Sequence, residues 1–299
     1  MIGKLQSNIV EPLNKINLKH TKKCQQYIDN VIYEHIKKTI QHPLLREMCH
    51  YSTSDGKRVR SVIIDSMNKK RPQYSINAIL FIEYLHASSL IMDDIMDKDS
   101  FRRGQLCSYK KYGYCLSQLT AIQLMAMSLV QIAEMMKNIH SSMITPVDKD
   151  RLMVWIFDNI TSNFHNLCLG QFMDIKADRC DVQSLINRKT TTLFEISFIL
   201  GWLLSGRDLI NINQVKLLAN DFGLIFQIAD DFEDYYKDYK QNPQNNYVIV
   251  NGPQKSYENF IYHKKKFLSL AKQLNILTPE INEITDYLDE KVKISLSRF

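Results

Sequence analysis

From Pro72 to Pro146 the chain runs without a proline, and it does so again from Pro146 to Pro243. Proline removes a backbone donor and clashes with the preceding turn, so long intervals without it, carrying apolar residues at helical spacing, read as long helices. The spacing agrees. Residues 1–50 alternate apolar and charged positions in this way, as in "CQQYIDNVIYEHIKKTI". Further helices are expected over 76–97, 115–139, 150–178, 189–206 and 211–238, and within 254–274 and 279–296. Strand-like alternation is short and rare, with "NYVIV" (246–250) the best case. Nine glycines and seven prolines in 299 residues argue against an all-β fold with its many turns. A chain that is 45% hydrophobic can bury a large core. No internal repeat and no linker rich in Gly, Ser or Pro divides it, so a single all-α domain over residues 1–299 is expected.

The formal net charge of +6 is scattered in small knots, "GKRVR" (56–60), "KKR" (69–71), "FRRG" (101–104) and "HKKK" (263–266). Knots of this size suit an ordinary solvated surface or a small polyanion such as a diphosphate, whereas a nucleic-acid binder would show one broad basic face or a known motif. Cys24, Cys49, Cys107, Cys115, Cys168 and Cys180 form no CxxC pair, and no signal peptide precedes them. They read as reduced packing residues of a cytoplasmic protein. The most apolar window, 193–206, is shorter than the roughly 20 residues a membrane span needs and carries Glu195, so a buried core helix is expected there and no span.

Acid is concentrated at the end of an apolar run. In "SSLIMDDIMDKDSFRRGQ" (88–105), Asp93, Asp94, Asp97 and Asp99 are followed by Arg102 and Arg103. On a helix Asp93 and Asp97 are i and i+4 and share a face, where like charges destabilise. Either a solvated helix end or a divalent-cation site would tolerate them. A second copy decides between the two. "FQIADDFEDYY" (226–236) repeats the DDxxD spacing with Asp230, Asp231 and Asp234, again ending an apolar stretch. Two carboxylate sets suit Mg²⁺, which takes a few carboxylates, waters and phosphate oxygens, and so make a platform for a diphosphate.

Over nearly its full length the chain resembles the trans-isoprenyl diphosphate synthases, the head-to-tail polyprenyl synthetases. "DGKRVR" (55–60) is similar to the family's GKxxR segment, and "EYLHASSLIMDDIMD" with "RRG" to its first aspartate-rich motif. "GQFMD" (170–174) is similar to its GQxxD, "KTTTLF" (189–194) to its KT motif, and "FGLIFQIADDFED" (222–234) to its second aspartate-rich segment. The resemblance implies a bundle of long helices around a central cavity, a homodimer, small-molecule substrates and a cluster of about three Mg²⁺ ions. In the reaction it implies, an allylic diphosphate loses diphosphate and isopentenyl diphosphate attacks the resulting cation.

By resemblance Asp93, Asp97 and Asp230 are direct Mg²⁺ ligands, with Asp94, Asp231 and Asp234 in support and Asp174 and Gln171 beside them. Arg102 would hold the allylic diphosphate. Gly56, Lys57, Arg60, His86 and Arg103 would form a metal-free pocket for isopentenyl diphosphate. His86 alone would be read as a core histidine, and Arg58 as a surface charge. Lys189, Thr190 and Gln227 would stand near the cation, with water excluded.

Two departures place the chain on a divergent branch. The Gly-Lys pair common beyond the second motif is replaced by "YKDYKQNPQNNYVIV", so Lys237 or Lys240 would take over the allylic-phosphate contact. The usual Gly-Asp of the next helix is replaced by "SQLTAIQLMAM" (117–127). "DFG" at 221–223 comes without kinase motifs and reads as helix. Ser89 and Leu85 precede Asp93 by four and eight residues, with Ser88 next to that face. Two serines where bulky aromatics would block a tunnel favour a geranylgeranyl product, closed off by Leu85, Leu119 or Gln123, unless the serines only let helices pack closely. Farnesyl or longer products, a non-catalytic partner subunit and a terpene cyclase are the alternatives.

Overall fold

The structure, a computed structural model, describes residues 18–142, 149–176, 182–241 and 243–299. Almost all of them are helical, as the proline-free intervals require. They group into two compact units. One comprises Lys22–Val154 with Leu200–Arg207, and the other Trp155–Ile199 with Asp208–Phe299 and the start of the first helix up to Thr21.

The unit built on Lys22–Val154 holds α1 (Lys19–Thr39), α2 (Pro43–Thr53), α3 (Val59–Met67), α4 (Gln73–Asp97), α5 (Ser108–Tyr112) and α6 (Tyr114–Ser142). Helix α4 is its axis. It starts directly after Pro72, whose fixed φ suits a helix entry, and stops at Lys98 in the left-handed conformation. Every residue from Asn77 to Leu85 is buried, so this helix is enclosed on all sides. Its main neighbour is α6. Ser88 Oγ donates to the Ala121 carbonyl of α6 at 2.8 Å, and the Asn77 amide donates to Gln131 at 2.8 Å. Buried polar groups paired in this way fix one helix register, because any slip would leave them unsatisfied.

The unit built on Trp155–Ile199 and Asp208–Phe299 holds α7 (Lys149–Lys176, from Trp155 onward), α8 (Val182–Ile186), a π-helical turn (Asn187–Thr191) and α9 (Thr192–Leu204, up to Ile199). It continues with α10 (Ile212–Gln241), α11 (Tyr247–Asn251), α12 (Pro253–Gln273) and α13 (Pro279–Leu296). Its core is aromatic. Phe222 of α10 lies 5.1 Å from Phe194, 5.3 Å from Phe198 and 5.1 Å from Phe267 between ring centroids, mostly edge-on, the arrangement the ring quadrupoles favour. The 193–206 window is a buried helix from Leu193 to Leu204 apart from Glu195, as expected. Glu195 accepts from the amides of Asn159 and Asn163 at 3.3 and 3.2 Å.

Three expectations need correction. "NYVIV" is helical: Asn246 caps α11 by accepting from the Val248 and Ile249 amides, and this outweighs its β-branched residues. The strands are instead Phe101–Arg102 and Gln105–Leu106, a two-residue hairpin across Arg103 and Gly104, both at positive φ. The 193–206 window is not the nearest approach to a membrane span. Gln73–Asp97 and Tyr114–Ser141 are long and apolar enough by composition, with 72% and 44% of their apolar windows buried. Finally, Arg58 is not a surface charge. Its guanidinium donates to Asp29 at 2.7 Å, to Glu83 at 2.7 Å and to the Thr53 carbonyl. Arg58 and Glu83 are both 5% exposed, and removing one member of a buried pair strands the other. Arg58→Ala should therefore lower unfolding stability by about 3–5 kcal/mol. Denaturant titration monitored by circular dichroism checks this.

Candidate active site

The first aspartate set occupies the last turn of α4. Asp93 is half-buried and Asp97 exposed, one turn apart on one face, as i and i+4 demand. Asp94 points the other way. Its side chain is 7% exposed and accepts from Arg102 Nε at 2.6 Å. This carboxylate orients the arginine of the following hairpin. That hairpin is tied down from three sides. Tyr51 donates its hydroxyl to the Leu106 carbonyl at 2.7 Å, Gln105 donates to Asp55 at 2.6 Å, and Arg103 donates to the Ser54 carbonyl at 3.1 Å. Between these residues opens a cleft of about 450 Å³, with Ser54, Arg102, Arg103 and Gln105 on its wall.

Arg60 Nη1 lies 3.2 Å from His86 Nε2. Arginine has no acceptor, so His86 Nε2 must accept and the ring proton belongs on Nδ1. His86 Nδ1 is enclosed and has no hydrogen-bond partner. A buried donor without an acceptor is costly, and an anionic oxygen would satisfy it. Burial first, then Arg60, Arg103 and Arg102, hold the His86 pKa well below its ordinary 6.5 and keep the ring neutral. Lys57 is exposed, and its carbonyl accepts from Gln25 at 2.7 Å. Gly56 serves packing: a Cβ there would stand 2.7 Å from Arg58 Nη1.

The other unit carries a polar cluster of its own, built around the π turn. A Cβ on Gly170 of α7 would lie 3.1 Å from the Lys189 amide nitrogen, and one on Gly223 of α10 would lie 2.9 Å from Thr191 Cα. The two glycines let this turn nest against α7 and α10, presenting Lys189 and Thr190 on a widened helical turn of the kind frequent at functional sites. Lys189 donates to Asp174, which also accepts from Asn245. Thr190 donates to Gln227 at 2.6 Å, and Gln227 donates to Asp231 at 2.7 Å. The Tyr247 amide closes on Asp231 at 2.7 Å. Gln171 is half-buried beside them.

Asp231 is buried, and that burial pushes its pKa up to about 8 against the opposing hydrogen bonds from Tyr247 and Gln227. Asp234 is open to solvent on one side and hemmed in on the other. Its pKa is pushed up to about 6 by this partial burial and then by Asp238, Asp230 and Glu233. Asp230 pairs with Lys291 of α13, a residue no motif pointed to. Burial opposes the charge on Lys291, but Asp230 and Glu233 reverse this and leave its pKa raised. Lys237 and Lys240 are exposed on α10, with Lys237 near enough to Asp234 to lower its pKa somewhat.

Among the described residues no three ligating side chains form a preassembled metal cluster. The donor chemistry nonetheless fits Mg²⁺: hard carboxylate oxygens on helix faces, without thiolate, crowded enough in the second set to raise the pKa of Asp231 and Asp234. The structure brings the proposed chain-length residues together only in part. Leu85 is buried and Ser88 is spent on the seam with α6, whereas Ser89 is half-buried. Gln123 is half-buried and Leu119 is 59% exposed on the outer face of α6.

The family model for polyprenyl synthetases matches residues 42–246. The chain belongs to the polyprenyl synthetase family. A trans-prenyltransferase of African swine fever virus is 26% identical over 286 residues, covering 92% of this chain and 84% of the viral one. The geranylgeranyl diphosphate synthase of Sulfolobus acidocaldarius is 31% identical over 207 residues, 64% of this chain and 58% of that protein. Among solved structures, a Thermotoga maritima geranyltranstransferase superposes with a TM-score of 0.74 at 22% identity, over 94% of this chain and all of that one. The family match spans both aspartate-rich segments and the Lys189–Thr190 turn of this polyprenyl synthetase.

A neutral His86 has a sign-definite consequence. Its folded pKa lies below 6.5, so its contribution to stability is complete above 6.5 and is lost as pH falls through the folded value. Between about pH 7.5 and about pH 5 the unfolding midpoint should fall, and His86→Gln should flatten that fall. Denaturant titrations at each pH test this. Equal slopes for the two proteins would contradict the assignment.

Proposed function

We propose that this polyprenyl synthetase elongates prenyl chains by Mg²⁺-dependent head-to-tail condensation of isopentenyl diphosphate with allylic diphosphates, with geranylgeranyl diphosphate as product. The observation that carries the reading is the unpartnered Nδ1–H of His86 beside Arg60, a fixed donor suited to a diphosphate oxygen. Lys57 and Arg103 would add charge-assisted contacts to the same group. Bound Mg²⁺ would neutralise the charge that develops on the departing diphosphate. Asp93 with Asp97 in one unit, and Asp230 in the other, would serve as Mg²⁺ ligands, and Asp94 would aim Arg102 at the diphosphate. The Thr190 hydroxyl and the Gln227 carbonyl would face developing positive carbon with their oxygen dipoles. Lys189, kept in place by Asp174, would bind diphosphate oxygen. No strong protein base is required, because departing diphosphate can take the proton.

Incubated with isopentenyl and dimethylallyl diphosphates and Mg²⁺, the isolated chain should release a twenty-carbon product. Asp93→Ala and Asp230→Ala should each lower turnover by orders of magnitude with unchanged helical content. Ser89→Phe should shift the product shorter. Turnover surviving excess chelator would overturn the metal role, and a fifteen-carbon end product in the parent protein would overturn the product assignment. No turnover in a well-folded protein would favour the non-catalytic subunit instead.

We also propose that the chain is a homodimer. Leu116, Leu119, Ile122, Leu129 and Val130 of α6 are 42–63% exposed, an apolar stripe with spacings of three, three, seven and one. An exposed apolar patch of this kind marks an interface, and a second copy offers a matching one. Ile122→Glu should convert a dimer to a monomer in light scattering behind size exclusion. A monomeric parent protein would refute it.

A further inference from the structure

Lys291 lies far along the chain from every motif, yet its ammonium sits 2.5 Å from Asp230 Oδ1 and 2.5 Å from Glu233 Oε2. Its side chain is 1% exposed, whereas Asp230 and Glu233 are 31% and 39% exposed. Lys291 is flanked on α13 by the buried Val292 and Leu288, so its stem cannot carry the charge out to water. The partners that face solvent are the two carboxylates. Only Asp230 belongs to the DDxxD set; Glu233 lies outside that spacing.

We propose that Lys291 is the resident counter-cation of the second aspartate set, a positioning residue that holds Asp230 in the metal-free chain and keeps Glu233 when Asp230 turns to a divalent cation. The inference rests on the functional reading above, since it takes Asp230 as a metal ligand. Two carboxylates on one ammonium make the exchange feasible. A buried lysine stripped of its only partner would carry a severe penalty, and Glu233 removes that penalty. Glu233 therefore has a role of its own, as the group that retains Lys291 while Asp230 is engaged elsewhere. An ammonium donates up to three hydrogen bonds, so it can hold both carboxylates before the exchange.

Opposite shifts are expected from the two sides of this pair. Lys291→Met frees Asp230 and should tighten binding of Mn²⁺ about tenfold, the effect of losing one charge-assisted competitor. Glu233→Gln leaves Lys291 with Asp230 alone and should weaken it by a similar factor. In the Lys291→Met background, Glu233→Gln should have little effect, and Lys291→Arg should restore parental affinity. The measurement is loss of the free Mn²⁺ electron paramagnetic resonance signal, with the metal alone and with inorganic diphosphate, alongside Asp230→Ala. If Asp230→Ala binds Mn²⁺ as the parent does, both the metal assignment and this inference fail. If Asp230→Ala loses binding while Glu233→Gln and Lys291→Met leave it unchanged, or shift it the same way, only the Lys291 role fails. Should Lys291→Met not fold, Glu233→Gln and Lys291→Arg decide alone: weakening in the first with parental affinity in the second supports the exchange, and any other pairing overturns it.

Discussion

The constraint on which both units depend is the crowding of carboxylates just beyond apolar helical stretches. Like charges this close cannot all stay ionised in a partly dry environment without cations nearby. The chain supplies its own at each place. Arg102 holds Asp94, Lys189 holds Asp174, and Lys291 holds Asp230 with Glu233. Asp231 has no such cation and is stabilised only by an amide N–H and the Gln227 side chain, and its pKa is the one pushed furthest up. These cations do double duty. Each arranges a carboxylate while the protein is empty, and in the proposed reaction two of them, Arg102 and Lys189, would also contact diphosphate.

The same polar groups reach back into the fold. Asp174 can meet Lys189 because Gly170 lets the π turn approach α7, and Thr190 can meet Gln227 because Gly223 lets it approach α10. A side chain at either glycine would push the turn outward and separate the pairs. The loop beyond the second motif joins the same network. Asn245 there donates to Asp174, and Asn246 donates to the Asp231 carbonyl and to Asp238. The donors from this loop are neutral amides, and the cations paired with Asp174 and Asp230 are Lys189 and Lys291.

Much of this was legible in the residues, for identifiable reasons. Long helices follow from missing prolines and a 3.6-residue period, and α4, α6, α10 and α13 fall close to where that period puts them. Asp93 with Asp97 and Asp230 with Asp234 are visible because a helix turns i, i+4 spacing into a shared face. Period fails where a side chain acts on a backbone. In "NYVIV" the β-branched residues argue for a strand, but the Asn246 cap, which depends on backbone geometry, makes a helix. Arg58 read as exposed because its partners, Asp29 and Glu83, lie 29 and 25 residues away. The pairing of Asp94 with Arg102 was hidden differently: DDxxD suggests two equivalent neighbours, and only the helix rotation sends one toward the hairpin.

Lys291 marks where sequence reasoning ends. It is 61 residues from Asp230, in a segment with no motif, and its neighbours "EKVKIS" look like a solvated charged face. Lys293, two residues on, is such a residue, half-exposed and paired with Glu290 and Asp289 on the same helix. Two positions along a helix amount to a rotation of about 200°, enough to move one lysine into water and the other into the core. The identity of the residue says nothing of this; the packing of α13 against α10 decides it. A buried lysine survives there only because α10 offers it carboxylates. The acidic motif is thus as necessary to the seating of α13 as the lysine is to the resting state of the motif, and site and fold cannot be separated at this contact.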